Sequence, residues 1–228
     1  MKKKFYTEAA YLLGLIIIAF SAALMTRADF GLSMVVAPAY ILHLKISETF
    51  AFFSFGMAEY TLQAVLLILM ILILRRFRLY YLFSFVTAVF YGFLLDGALA
   101  IVNAVPVPDT IFFRILFYVL GLACCAIGVA VIFHTYIAPE VYELFVKEVA
   151  PAAKMSAGNF KTLYDCVSCL IAILLSFLFF GLGHFEGVGP GTIVCALVNG
   201  QLIGICTKWL DDHFIFKDAL DLHRYFIE

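Results

Sequence analysis

The chain has 228 residues, of which 65% are hydrophobic and 14% charged, and its mean hydropathy is +1.06. Water-soluble domains are roughly 45–50% apolar and about 25% charged, so this composition excludes a soluble globular fold and marks an all-α polytopic membrane protein. The formal net charge of −1 provides no basic footprint for nucleic acid.

A crossing of the hydrocarbon core needs about 20 mainly apolar residues. Six segments qualify: 9–27, 50–74, 79–103, 111–134, 160–182 and 190–210. Runs such as LLILMILIL and LIAILLSFLFF do not alternate, which argues against a barrel. Helices satisfy their own backbone polar groups and are the expected spanning element. Met1-Lys2-Lys3-Lys4 before the first span has the look of a secretory signal, but the repeat described below makes that span half of a structural pair.

Basic residues orient the spans. Lys2, Lys3 and Lys4, then Arg75, Arg76 and Arg78, then Lys147, Lys154 and Lys161, then Lys208, Lys217 and Arg224 all fall on one side if six helices alternate. Both termini are then cytoplasmic, with Arg27 and Lys45 as exceptions in the first outer loop. Two connections exceed a turn. Residues 33–46 are too short to span, and residues 138–154 place Val141, Leu144, Phe145 and Val149 on one face. Each is expected as a short interfacial helix. The tail, 211–228, reads as a cytoplasmic amphipathic helix. His213 and His223 near aspartates have no metal-ligand spacing, so no metal is expected.

The chain also repeats itself. LLGLIIIAFSAAL aligns with VLGLACCAIGVAV, and VVAPAYIL with IAPEVYEL. In the same order AEYTLQAVLLIL aligns with YDCVSCLIAILL, and GFLLDGALAIV with CALVNGQLIGI. The units are 1–104 and 105–210. Three crossings per unit reverse the second relative to the first, giving two inverted three-helix repeats, an architecture that transporters use with the site between the units.

The repeat matches Arg27 to His134, Glu59 to Asp165, and Asp96 to Asn199. A charged side chain at the bilayer centre costs roughly 2.5–3.5 kcal/mol on insertion scales and is read as functional by default. Asp96, Asn199, Glu59, Asp165 and Gln63, one turn after Glu59, are therefore candidate substrate or ion ligands. Arg27 and His134 balance these acids or reach for the surface. The bland readings are helix contacts for Asp96 and interfacial positions for Glu59 and Asp165. Gly187–Thr192, GVGPGT, is a tight turn in preference to an anion site. The six cysteines lie in apolar runs and read as small packing residues, Cys166-x-x-Cys169 included. No serine–histidine–acid arrangement, phosphate loop or HExxH motif is present, so no enzyme activity or cofactor is expected.

ADFGLSMVVAPAYILHLKI, ISETFAFFSFG and GVGPGTIVCALVNGQLIGI resemble YitT/YczE-type small bacterial integral membrane proteins. The likeness spans most of 9–208. It departs at Met34-Val35, where those proteins have proline and tryptophan, and at Ile137-Ala138-Pro139-Glu140. It implies a bacterial inner (plasma) membrane protein whose partners are the lipid bilayer and a small-molecule or ion ligand, with a homo-oligomer left open. The resulting expectation is an ion-coupled secondary transporter of a small solute. The rivals are a substrate-binding membrane subunit of a larger energy-coupling complex, with Ala19 and Ala23 suited to docking, and a non-transporting scaffold.

Overall fold

The computed structural model describes residues 3–155, 157–182 and 186–219. His223, Arg224, Lys2 and the end of the predicted tail lie outside them. The order is β1 (Lys3–Tyr6), α1 (Thr7–Ala28), α2 (Ala37–Ser47), α3 (Phe55–Leu74), α4 (Leu79–Ala104), α5 (Ile111–Phe133), α6 (Val141–Ala152), α7 (Ala157–Phe180), α8 (Pro190–His213) and β2 (Phe214–Lys217). Helices α1, α3, α4, α5, α7 and α8 each contain a stretch long and apolar enough to cross a bilayer. They correspond to the six predicted spans. The largest shift is at the start of α3, where the Ser54 side chain accepts from Met57 N–H and so fixes the first turn.

Contacts between helix ends show that the spans alternate. Arg27, ending α1, donates to the carbonyls of Val102 and Val105 at the end of α4. Arg114, in the first turn of α5, reaches the carbonyls of Ala28 and Asp29. At the opposite end, His134 after α5 meets Asp211 of α8 and stacks on Phe216 of β2. Two of these contacts, with Lys45, account for the expected charge exceptions. Arg27 satisfies backbone carbonyls that a helix terminus leaves orphaned, and Lys45 pairs with Glu48.

Lipid tails are as apolar as leucine, so spans associate through close packing and polar contacts. The α1–α5 crossing is built that way. A Cβ on Gly14 would lie 3.2 Å from the Gly128 carbonyl, and one on Gly128 would lie 3.1 Å from the Gly14 carbonyl. Ser21 of α1 donates to the Gly121 carbonyl at 2.7 Å. Gly56 of α3 and Gly92 of α4 meet more closely still.

Two expectations are corrected. Neither short helix stands apart from the spans: α2 and α6 each pack against both α3 and α7. Seven of the twelve residues of α6 are buried, including polar-face Tyr142. Its apolar stripe is met by protein instead of lipid. The start of the tail is also not a helix of its own. α8 runs on to His213, and Phe214–Lys217 forms a parallel ladder with Lys3–Tyr6. Glu8 accepts from Ala219 N–H and Tyr136, closing the chain's two ends on one another.

Replacing Gly128 with leucine should destabilise the protein by about 1–3 kcal/mol through overpacking. Leucine at Gly97, where an added Cβ meets nothing within 4 Å, should melt like wild type. Thermal unfolding in detergent, followed by far-UV circular dichroism, compares the two.

Candidate functional site

Between α1, α5, α7 and α8 lies a cavity of about 510 Å³, closed by the leading ends of α2 and α6. Small-molecule sites occupy roughly 300–1,000 Å³. Ser33–Val36 enter it ahead of α2, and Pro139 and Glu140 ahead of α6. α2 opens on Ala37-Pro38, and α6 follows Ala138-Pro139 by one residue. Proline has no N–H to strand at a helix start and breaks the preceding chain, so each begins abruptly where the chain turns back.

The α6 end carries most of the chemistry. Val141 N–H donates to Gln63 Oε1 at 3.1 Å, which satisfies a first-turn donor of α6. The Gln63 amide then donates to Glu140 Oε2 at 3.3 Å and, more weakly, to Glu59 Oε2 at 3.5 Å. Tyr142 donates to Glu59 Oε2 at 2.8 Å. Gln63 lies eight residues into α3, about 12 Å along it, so this cluster sits well inside the bundle. Glu59 and Gln63 are wholly buried, and Glu59 Oε1 has no hydrogen-bond partner. Burial, then the neighbouring Glu59 and Glu143, push the Glu140 carboxyl up to about 8. Burial thus favours the protonated form of Glu140.

A second cluster lines the same cavity. Lys161 lies 3.1 Å from Asp165 and 3.5 Å from Glu143 of α6. Asn199 of α8 donates to Cys125 at 3.5 Å, while its Oδ1 is buried without a partner. The Tyr91 hydroxyl, on a side chain 1% exposed, is likewise unpartnered and lines the cavity.

The structure thus brings together Glu59, Gln63, Asp165 and Asn199 but leaves the other candidates elsewhere. Asp96 does not join Asn199. Its carboxylate accepts from Gly56 N–H at 2.8 Å and from Ser54, holding the start of α3. A negative charge there faces orphan N–H groups and the positive end of the helix dipole, which is why the apolar run tolerates it. Arg27 caps α4, and His134 belongs to the strand end. GVGPGT is a backbone crossing: Gly191 N–H donates to the Phe30 carbonyl at 2.7 Å and Leu32 N–H to the Gly187 carbonyl at 3.0 Å. Gly31, at φ +98°, packs against Gly189, leaving no room for side chains at the crossing.

Sequence reading placed Glu140 and Glu143 on the polar face of a surface helix and Lys161 in a cytoplasmic loop, so it missed all three as site residues. The Ala-Pro pair at the start of each short helix was the available signal. It marks where the chain reverses, and Glu140 follows it directly.

Residues 5–208 match a family described as "Family of unknown function (DUF6198)". The chain belongs to that family. The match does not extend to the YitT/YczE type. No curated protein and no solved structure is significantly similar to the chain.

The raised Glu140 carboxyl has a definite consequence. Between its ordinary value of 4.5 and about 8 the folded chain holds a proton that the unfolded chain releases. Stability should therefore fall as pH rises through that window. Glu140→Gln should flatten the fall, as read from melting temperature in a common detergent buffer at about pH 5 and 7, inside the window, and about pH 9, above it.

Proposed function

We propose that this integral membrane protein is an ion-coupled secondary transporter of a small solute, with the cavity as the substrate site and a proton on the Glu140–Gln63–Glu59 cluster as the coupling ion. One observation carries the reading. A cavity between spanning helices is lined by ionisable side chains and adjoins a buried carboxyl pair bridged by a single amide. Intramembrane acids of this kind mark ion pathways and proton relays. Deprotonating Glu140 beside Glu59 puts like charges in a buried site, which weakens the hold of Gln63 on the start of α6. Binding of the ion and the position of α6 are then one equilibrium.

The pattern of helix contacts supports an inverted repeat of residues 1–104 and 105–210. α1 packs on α4 as α5 packs on α8, and each short helix packs on both α3 and α7. In such repeats one unit rocks against the other around a fixed site. The basic residues at the ends of α3 and α6 support an orientation with the β1–β2 end cytoplasmic, in what we take to be a bacterial inner membrane.

Proteoliposomes with an imposed proton gradient test the carrier. A solute panel should include one whose uptake is gradient-driven and falls at least about tenfold, or 1.4 kcal/mol, in Glu140→Gln and Asp165→Asn. Uptake unchanged in both variants would remove the cavity from the mechanism. Topology is tested separately on a cysteine-free background. Lys4→Cys and Glu48→Cys, both exposed, should react with an impermeant thiol reagent from opposite sides of the membrane.

A further inference from the structure

The charges around the cavity do not balance. Glu140, Glu143 and Asp165 line it, and among the described residues Lys161 is the one basic side chain that does. Lys161 lies between Glu143 and Asp165 and can neutralise one of them. With Glu140 protonated, one negative charge is left over. Around it the wall is apolar, with Met25, Leu32, Met34, Val36, Ile132 and Ile203. Tyr91 and Asn199, both lining the cavity, point to a ligand independently of the acids, because the Tyr91 hydroxyl and Asn199 Oδ1 are buried and lack a partner. A buried polar atom left unsatisfied costs about 1–3 kcal/mol, and a donor group in the cavity would recover it.

The wall also has a gap. α3 packs along α4, but among the described residues α7 and α8, their counterparts in the repeat, make no comparable packing. Ala196 and Gly200 of α8 line the cavity and are exposed, and an added Cβ on Gly200 or Gly204 meets nothing within 4 Å. The outward-facing residues of the two helices include Leu170 and Leu174 on α7 and Ile193 and Leu197 on α8, all exposed. That composition faces hydrocarbon, not water.

We infer that the cavity binds an amphipathic organic monocation, which reaches it sideways from the bilayer between α7 and α8. The ammonium or comparable cationic centre sits at Glu143 and Asp165, where it supplies the missing charge. Its apolar body lies against α1 and the end of α5. An N–H donor on the ligand would meet Tyr91 and Asn199. A small inorganic cation would leave the apolar walls empty, and an organic anion would add charge of the sign already in excess. The inference rests on the cavity being the substrate site of the proposed carrier, but it concerns binding and can be decided without flux.

Purified protein is titrated with tetraphenylphosphonium and with aralkylammonium ions, each against a counterpart of matched shape and opposite sign, tetraphenylborate or an aralkyl carboxylate. Thermal stabilisation reports binding to the folded state. Cations should raise the melting temperature and anions should not. Asp165→Asn and Glu143→Gln should weaken cation binding at least tenfold. Gly200→Leu, which has open space for its side chain, should fold normally and block binding, while Gly97→Leu on α4 should bind as wild type. Anion binding equal to cation binding, no stabilisation by any cation, or full binding in Gly200→Leu overturns the inference. Cation binding without uptake in proteoliposomes would leave it standing and remove the carrier reading. Gradient-driven uptake of an anion would do the reverse.

Discussion

A chain that turns back within a bilayer strands helix-terminal N–H and C=O groups where lipid offers no partner. The whole bundle is arranged around satisfying them. Gln63 receives the first N–H of α6, Asp96 and Ser54 receive those of α3, and the backbone crossing of Phe30–Leu32 with Gly187–Gly191 ties down the approach to α2. Arg27 and Arg114 do the same for orphan carbonyls. Most of the polar residues that interrupt the apolar spans therefore serve helix ends.

What remains after that assignment is the chemistry of the cavity. Glu59, Glu140, Glu143, Lys161 and Asp165 come from three elements, α3, α6 with its leading turn, and α7. The α1–α5 crossing makes the cavity's back wall rigid, since its glycines allow backbone-to-backbone approach and exclude any intermediate packing. α7 and α8 lie at the opposite extreme, with most of their surface turned outward. A bundle that is tight on one side and loose on the other is what a cavity with movable walls requires. The carboxylate and ammonium groups sit on the α6–α7 side, so any movement of α6 changes their spacing directly.

Some of this arrangement was legible from residues and some was not. The spans were, because 18 or more apolar residues in a row have one stable form in lipid. Glu59, Gln63 and Asp165 were legible as candidate residues, because i, i+4 spacing puts Glu59 and Gln63 on one face and a carboxyl inside a span demands a partner. Asp96 met the same criterion and has an ordinary role. An acid that holds a helix start and an acid that faces a ligand are identical in sequence, and only the position of Ser54 and Gly56 separates them. Glu140 and Glu143 failed in the opposite sense. Amphipathicity reports two unlike faces but cannot say whether the apolar face meets lipid or protein.

The sequence by itself determined that the protein lives in a membrane, where it crosses, and where the chain is forced to break, because hydropathy, length and proline act locally. Only the tertiary structure decided which polar groups meet. Those meetings join residues up to 211 positions apart, and their partners are chosen by how the helices cross, which no local pattern encodes.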